Sequence, residues 1–359
     1  LITAFFRNAA VREQVTALCS TPSAKAKLAE EGFSTSADEI ERRLSLMNEM
    51  RSLLMLERDF PDGDYPDPAP LVAKIRVEGS YLLAAEADQL RKALVTVGAI
   101  AEFILGRGGA RYPRLWELSR RVTLFPEIVR AIDAILDDRG EVKDSASPEL
   151  QQVRRAIRER EGQAAKRLQQ VLQRAKQAGI VDADAVLSVR DGRPVIPVAA
   201  ANKRKLQGFI HDESATGRTF YVEPVEVVEI NNELKELEYA ERREVVKVLS
   251  TFTESIRPDA EAIADAGDYL SSVDMIRAKA RWALANDAGK PILSTDDRLE
   301  LRTARHPLLQ QTLRAQGREV VPLDLALDRR KHILVISGPN AGGKSVCLKT
   351  TGIVQYMFQ

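Results

Sequence analysis

Residues 148–175 read PELQQVRRAIREREGQAAKRLQQVLQRA, and this stretch decides the fold. It opens with a typical helix start, because Ser147 suits the N-cap and Pro148 suits the first turn. Apolar residues then recur at spacings of three and four, with a polar interruption at Glu161: Leu150, Val153, Ile157, Ala164, Leu168, Val171 and Ala175. This period predicts a long helix with a coiled-coil seam.

A second long helix is predicted from about Pro224 to about Arg257. Its seam is interrupted at Glu241 and otherwise consists of Leu234, Leu237, Val245, Val248 and Phe252. The two helices carry opposite charge: residues 149–178 hold eight Lys or Arg and three Glu, net +5, whereas residues 223–257 hold five Lys or Arg and nine Glu, net −4. We therefore predict an antiparallel coiled-coil arm. The alternative is that both are ordinary solvated helices.

Between these helices the apolar period changes from 3.6 to 2, which is typical of strands. Residues 187–198 place Asp191-Gly192 between β-compatible runs, which is a hairpin signal. Residues 208–211 and 219–222 predict a second pair of strands. The sequence thus predicts a small β module at the tip of the arm.

The predicted tip is locally basic. Residues 190–218 hold three acidic and six basic side chains, net +3, and the basic ones are Arg190, Arg193, Lys203, Arg204, Lys205 and Arg218. We predict that they bind the phosphate backbone of a nucleic acid, with a contribution from His211. No aromatic stripe for stacking single-stranded bases accompanies them, so a duplex or structured backbone is favoured. The alternatives are a merely soluble loop cluster and, for His211, a role in packing the tip.

The rest of the chain is predicted to be mostly a helical core. Helical spacing of apolar residues predicts helices within residues 1–58, 81–105, around Trp116, 126–136 and 260–285. Residues 60–70 hold four prolines and three aspartates, which predicts a connector instead of a helix.

Residues 338–345 read GPNAGGKS, a complete G-x-x-x-x-G-K-[ST] phosphate loop. Residues 332–337, HILVIS, predict a buried strand before it, and residues 344–358 predict a helix after it. We therefore predict a site for ATP or ADP formed by Gly338, Pro339, Asn340, Ala341, Gly342, Gly343, Lys344 and Ser345. Lys344 would reach the β- and γ-phosphates, and Ser345 would bind Mg²⁺. The alternative is an accidental glycine-rich turn.

Hydrolysis of ATP also requires an acidic Walker B residue for Mg²⁺ and a group that orients water. Residues 346–359 contain no Asp or Glu, and they leave no room for the further parallel strands that an α/β ATPase domain needs. Short strands at residues 299–301 and 320–321 are predicted to lead to the strand before the loop. We therefore predict the first strand–loop–helix unit of an α/β ATPase domain, with no catalytic residue within this chain. We expect the chain to be the front part of a larger protein.

Composition excludes several classes of protein. The 53 Lys or Arg and 52 Asp or Glu leave a net charge of +1, which argues against a general polyanion binder, so a polyanion site must be local. No run of eighteen apolar residues and no signal-peptide pattern occurs, so a cytoplasmic location is expected, without membrane insertion. The two cysteines, Cys19 and Cys347, are predicted to be small core residues.

Several motifs resemble the MutS family along nearly the whole chain. RHPL at 305–308, VVP at 320–322 and GPNAGGKS at 338–345 resemble the start of the MutS ATPase domain. NKRK at 202–205, GFIHDESATG at 208–217, VEP at 222–224, NNEL at 231–234 and KIRVEGSYL at 74–82 are similar to the second bacterial branch of that family.

This resemblance implies a helical core or lever, an arm that ends in a clamp, and an ATPase completed by homodimerisation. It implies that Val320 and Val321 line an adenine pocket, while His306 is expected to be structural. Members of the branch are associated with binding branched DNA, with suppressing homologous recombination and with rescuing collided ribosomes, and they usually end in a Smr nuclease-like domain. The implied partners are therefore branched or duplex DNA and the ribosome or its RNA. Mismatch reading is not expected.

The predicted fold is mainly α. The predicted domains are a helical core at 1–147, a coiled-coil arm at 148–258 with a β-rich clamp tip at about 180–222, a return helix at 259–290 and an incomplete P-loop ATPase domain at 291–359. The leading function is an ATP-dependent clamp on nucleic acid. The alternatives are a coiled-coil module that binds nucleic acid without turnover and another type of coiled-coil P-loop ATPase. The sequence leaves DNA and ribosomal RNA open as the main partner.

Overall fold

The computed structural model describes residues 8–190, 192–339 and 343–359. The chain divides into two compact units. Unit 1 comprises the described parts of residues 1–78, 86–129 and 256–359, and unit 2 comprises those of 79–85 and 130–255. Within the described residues, no helix combines the length and the apolar character needed to cross a membrane.

Helices make up most of the described chain and the sheets are small. The helices are α1 (Asn8–Ala17), α2 (Pro22–Glu30), α3 (Ala37–Leu56), α4 (Ala69–Ile75), α5 (Ala84–Gly106), α6 (Pro113–Ser119), α7 (Pro126–Ile135), α8 (Pro148–Gln177), α9 (Val225–Ile256), α10 (Ala260–Ala285), α11 (Pro307–Ala315) and α12 (Lys344–Phe358). The strands are β1 (Ser188–Arg190), β2 (Arg193–Ala199), β3 (Gly208–Glu213), β4 (Thr219–Pro224), β5 (Leu299–Ala304) and β6 (Leu323–Leu327). The prediction of a mainly α protein is confirmed.

The core of unit 1 forms around α10. Apolar residues of α10, including Leu270 and Val273, are buried against α3 and α5, where Met50 and Ile100 are fully buried. The backbone of α10 also lies close to the proline-rich connector, since a Cβ atom on Gly267 would lie 2.8 Å from Cγ of Pro68. Glycine is therefore required at this crossing.

A buried ionic network joins α10 to the connector. Arg277 and Asp274 are both fully buried, and their side chains are paired at 2.9 Å. Arg277 also donates to the carbonyl oxygen of Gly63 at 2.7 Å, and its guanidinium lies 3.7 Å from the centre of the Tyr65 ring. Asp274 accepts hydrogen bonds from the amide and the hydroxyl of Thr21. Residues 60–68 are non-helical, as predicted, whereas residues 69 and 70 belong to α4, because Pro70 suits the first turn of a helix. The non-helical part is anchored by polar contacts that sequence patterns do not show.

Two strand predictions near the phosphate loop are wrong. Residues 332–337 form no strand, and the side chain of Val335 is 84% exposed. Val320 and Val321 precede the actual strand β6, which begins at Leu323 and pairs antiparallel with β5. A buried strand requires neighbouring strands to satisfy its backbone amides and carbonyls. No described strand lies beside residues 332–337, so their apolar character alone does not form one.

The two long helices of unit 2 run in opposite directions. Ser147 caps α8, with its hydroxyl accepting from the amide of Leu150 at 3.0 Å, as the sequence predicts. Arg154 pairs with Glu241 at 2.7 Å, and Arg160 pairs with Glu233 at 2.8 Å, so residue numbers rise on α8 as they fall on α9. The antiparallel direction follows from these two pairs, while the coiled-coil geometry stays a prediction.

The β module of unit 2 is one antiparallel sheet with the strand order β1-β2-β4-β3. Gly192 has a φ of 74°, which suits the predicted hairpin turn, whereas Asp191 lies outside the described residues. Ile196, Val198 and Val222 of the sheet pack with Leu168, Val171, Leu172 and Ala175 of α8. The sheet is therefore fixed to the end of the helix pair by a small apolar core.

Candidate phosphate loop and candidate nucleic-acid surface

The described part of the phosphate loop ends at a helix N-terminus. Gly343 is the N-cap of α12 with a φ of 80°, and Gly338 has a φ of 149°. Both angles lie in the region that favours glycine. The first amides of a helix lack intrahelical partners and carry the positive end of its dipole, so this end of α12 is suited to an anion. Asn340, Ala341 and Gly342 lie outside the described residues.

Lys344, the first residue of α12, folds its ammonium group onto the loop. Nζ donates hydrogen bonds to the carbonyl oxygens of Gly338 and Pro339, the second at 2.9 Å. Ser345 follows in the first turn of the helix and is exposed. An ammonium group, a hydroxyl and free helix amides form a donor set for a phosphate that carries a divalent cation. The described residues of the loop therefore fit a nucleotide phosphate.

The residues predicted for the adenine pocket lie in the segment before β6. Val321 is 89% exposed, and Val320 is half-buried. A cleft of about 1010 Å³ lies between the β5–β6 hairpin and α12, where His332 and Thr351 contribute to its lining, but neither valine does. Contact with adenine stays a prediction for Val320 and Val321.

His306 is a helix cap in unit 1. Its side chain is 7% exposed, and Nδ1 accepts a hydrogen bond from the amide of Leu309 at 3.4 Å at the start of α11. His306 therefore has a structural contact, which agrees with the expected role.

Four of the cations predicted at the tip of unit 2 are exposed. Arg204, Lys205 and Arg218 form no side-chain hydrogen bond or ion pair with any other described residue. Lys203 Nζ lies 4.5 Å from the centre of the Phe220 ring, a favourable cation–π contact. The amide of Ala200 donates to the carbonyl oxygen of Arg218 at 2.9 Å, which joins the 200–205 segment to the start of β4. The tip therefore presents a local group of uncompensated positive charges.

Arg190 is held against the sheet. Its Nε lies 2.9 Å from Oδ2 of Asp212, and its guanidinium lies 3.8 Å from the centre of the Tyr221 ring. The neighbouring carboxylate offsets part of its charge. Arg190 consequently offers a phosphate less free charge than Arg204 or Arg218 does.

Arg193 and His211 converge on one buried carboxylate, that of Glu223, which is 1% exposed. The Glu223 oxygens lie 2.8 Å from Arg193 Nη1 and 2.6 Å from His211 Nε2, and one accepts a hydrogen bond from Asn231 Nδ2 at 2.6 Å. Burial alone would raise the pKa of Glu223, but the hydrogen bonds from these three partners outweigh it and hold that pKa below its usual value. The structure thus uses Arg193 and His211 to stabilise a buried charge, and their contact with nucleic acid stays a prediction.

Comparison with known proteins identifies the family of the chain. No protein-family model matches. The endonuclease MutS2 of Bacillus velezensis is 32% identical over 351 residues, which cover 97% of this chain and 44% of the relative. The MutS2 of Thermomicrobium roseum is 33% identical over 362 residues, with the same two coverages. The chain belongs to the MutS2 family. The MutS2 of Pelotomaculum thermopropionicum is 34% identical over 318 residues, 89% of this chain and 39% of the relative.

The chain spans less than half the length of the MutS2 relatives described above. The predicted resemblance to the second bacterial branch of the MutS family is confirmed by their agreement over most of the chain.

Sequence reasoning missed the two polar residues that organise the tip of this MutS2-family chain. Glu223 and Asn231 carry no positive charge, so neither was predicted to belong to the phosphate-binding site. Both lie in the segments VEP and NNEL that carry the family resemblance. A buried carboxylate requires partners, so a glutamate directly after the predicted strand 219–222 is the signal that would have led to Arg193 and His211.

Proposed function

We propose that this chain forms the lever, arm and first nucleotide-binding elements of an ATP-dependent clamp on duplex or branched nucleic acid. In this proposal the helical core, the arm, the clamp tip and the beginning of the ATPase domain have the boundaries predicted from the sequence. The arm is a coiled coil and the β module is its clamp tip. The whole protein acts as a homodimer in the cytoplasm, where it suppresses homologous recombination or rescues stalled ribosomes.

The observation that carries the proposal is the exposed charge at the tip of unit 2. Arg204, Lys205 and Arg218 have no ionic partner among the described residues, whereas Arg193 and Arg190 are paired. Lysine and arginine side chains that are free in solution gain affinity for a phosphate backbone by displacing its counterions. Such contacts do not read base sequence. The tip therefore favours binding to the backbone over recognition of a sequence.

The phosphate loop supplies the nucleotide dependence in this proposal. Lys344 would leave the loop carbonyls and bind the β- and γ-phosphates of ATP or ADP, while the backbone from Gly338 to Gly343 would surround them. Ser345 would hold Mg²⁺, which neutralises phosphate charge when it is bound. The relatives are named endonucleases, and we assign this activity to a terminal Smr domain of the whole protein.

Equilibrium binding tests the proposal. The full-length protein is titrated against branched DNA, duplex DNA and ribosomes in the presence of ATP, ADP or no nucleotide. A ligand shifts a conformational equilibrium only if it binds the two states with different affinity. We expect nucleotide to change the affinity for nucleic acid and Lys344→Ala to abolish that change. Identical affinities in every nucleotide state would exclude the clamp.

A module that binds nucleic acid without turnover is the second candidate. It is favoured by the exposed cations of the tip, which can contact a phosphate backbone without a nucleotide. An ATPase assay on the 359-residue chain separates the two readings, because turnover that depends on Lys344 contradicts the module.

A further inference from the structure

One face of α8 in unit 2 is basic and rich in glutamine. Between Gly162 and Ala178 the sequence contains no Asp or Glu. It contains instead four cations and five glutamines: Lys166, Arg167, Arg174 and Lys176, with Gln163, Gln169, Gln170, Gln173 and Gln177. A solvated helix usually mixes both signs of charge. The uniform sign of this stretch therefore calls for a physical explanation.

The side chains of this stretch form one continuous surface. A shallow groove of about 470 Å³ is lined by Lys166, Gln169, Gln170, Gln173, Arg174 and Gln177. Their spacing places them on one face of the helix. Leu168, Val171 and Leu172 of the same turns are buried in the apolar core of unit 2. The lined groove consequently faces away from that core. We call it the α8 polar face.

Ionic pairing differs between the two halves of α8. Every arginine of the first half has an acidic partner: Arg154 pairs with Asp144 and Glu241, Arg155 with Glu159, Arg158 with Asp144 and Arg160 with Glu233. In the second half, Lys166, Arg167 and Arg174 pair with no acidic side chain that the structure describes. The arginine charges of the first half are therefore compensated by acidic side chains within unit 2. The second half leaves its charge available to a partner.

The α8 polar face continues into the charged tip. Asn202 Nδ2 donates to the carbonyl oxygen of Ile180 at 3.0 Å, just beyond the end of α8. This hydrogen bond fixes the segment that carries Lys203, Arg204 and Lys205 beside the C-terminal end of the helix. Cations without an acidic partner thus lie both along α8 from Lys166 and in the segment fixed beside the end of that helix.

We propose that the α8 polar face binds the phosphodiester backbone of a double-stranded nucleic acid and extends the tip contact along the arm. The inference rests on the proposed function. Lys166 and Arg174 are eight residues apart, about 12 Å along a helix axis. One strand of a duplex presents a phosphate about every 3.4 Å along its axis, so the two cations span roughly three to four phosphates. The glutamine amides between them donate to phosphate and sugar oxygens.

The test compares three variants of the 359-residue chain. K166Q/R174Q removes the two cations of the polar face, and K203Q/R204Q/K205Q removes charge at the tip. R155Q/R158Q is the matched control, because it removes two exposed arginines from the same helix that are already paired. The dissociation constant for a short DNA duplex is measured by fluorescence anisotropy over a series of KCl concentrations, with circular dichroism to verify folding.

The slope of log K against log salt is negative, and each lost phosphate contact reduces its magnitude by about 0.9. We expect K166Q/R174Q to reduce the magnitude of the slope by about 1.8 and R155Q/R158Q to leave it unchanged. Q170E/Q173E, which keeps every cation but adds negative charge to the groove, is expected to weaken binding and provides a second line of evidence if the first variant misfolds. A duplex of RNA is expected to show the same change in slope, since the backbone charge is shared.

The outcomes separate this inference from the proposed function. The inference is overturned if the tip variant has a slope of smaller magnitude while K166Q/R174Q and Q170E/Q173E bind the duplex as the unaltered chain does. That outcome leaves the proposed function intact. Duplex affinity that is independent of salt in the unaltered chain contradicts both. An effect of K166Q/R174Q that appears only with single-stranded DNA also overturns the inference.

Discussion

Arg277 Nη2 lies 2.9 Å from Oδ1 of Asp274, and neither side chain has any exposed surface. Arg277 also donates to the hydroxyl of Ser20 at 2.7 Å, and Asp274 accepts from the amide of Thr21 at 2.8 Å. The pair therefore joins α10 to the turn between α1 and α2. Truncation of Asp274 would leave Arg277 buried with the partly exposed Asp62, at 3.3 Å, as its remaining acidic partner.

Asp274→Ala is expected to destabilise unit 1 by about 3–5 kcal/mol, the usual loss when one partner of a buried ion pair is removed. Trp116 and Trp282 are the two tryptophans of the chain and both lie in unit 1, so urea unfolding followed by tryptophan fluorescence reports on that unit. Asp268→Ala is the control on the same helix, because Asp268 pairs with Lys27 in a largely exposed position. It should change the stability by less than about 1 kcal/mol. Equal effects of the two substitutions would contradict the structural role of the buried pair.

Gly208→Ala is expected to loosen β3. A Cβ atom at this position would lie 2.1 Å from the carbonyl oxygen of Glu223 and 2.7 Å from Cγ1 of Val222, so the strands must separate. Overpacking of this kind costs about 1–3 kcal/mol. Hydrogen exchange of the β3 and β4 amides, measured by mass spectrometry, should become faster.

Gly162→Ala is the matched glycine control in unit 2. No atom lies within 4 Å of the position of its Cβ, and Gly162 lies within α8. Replacing a helical glycine by alanine stabilises a helix by roughly 0.5–1 kcal/mol. Exchange along α8 should therefore slow down, opposite to the effect at Gly208.

Glu223 should make unit 2 sensitive to acid. Its folded-state pKa lies below the ordinary glutamate value of 4.5, so the stabilisation is fully present above that value and is lost as the pH falls through the folded-state pKa. Glu223→Gln should lower stability at neutral pH, because Arg193 loses its ionic partner, and should flatten the acid dependence. Hydrogen exchange of β4 as a function of pH measures both effects. The control is Glu229→Gln, at an exposed position on α9, for which the acid dependence should be unchanged.

Arg160 and Glu233 should be energetically coupled across the helix pair. Their side chains lie 2.8 Å apart, and each is more than 40% exposed. A double-mutant cycle of Arg160→Gln and Glu233→Gln, measured by urea unfolding with circular dichroism, should give a coupling of about 0.2–1 kcal/mol. A parallel cycle of Arg160 with Glu229 should give none. Coupling to Glu229 instead would indicate a different helix register.

The long helices were predicted well because their signals are local, whereas α11 was not predicted and α4 begins within the predicted connector. Ser147, Pro148 and the apolar spacing that follows determine where α8 begins, and α10 and α12 have the predicted bounds. The role of Glu241 could not be predicted from the residues around it in the sequence. This residue appeared as an interruption of the seam because its partner Arg154 is 87 residues away in the sequence.

Tertiary partners account for the rest of what the sequence did not reveal. Residues 332–337 have the composition of a buried strand, but a strand forms only where another strand completes its hydrogen bonds. No sequence pattern distinguishes Arg277 from a surface cation, since buried arginines are rare, and only the fold shows Asp274 beside it. At the tip, the charges were correctly located, but the sequence did not distinguish the paired Arg193 from the unpaired Arg204.

The contacts of Lys344 have a consequence for the affinity of the proposed nucleotide site. The carbonyl oxygens of Gly338 and Pro339 compete with any incoming phosphate for the same ammonium group. A hydrogen bond to a charged group contributes about 1.5–3 kcal/mol, and about 1.4 kcal/mol corresponds to a tenfold change in affinity. A nucleotide must therefore replace these contacts, so its net affinity is lower than the lysine–phosphate contact alone would provide.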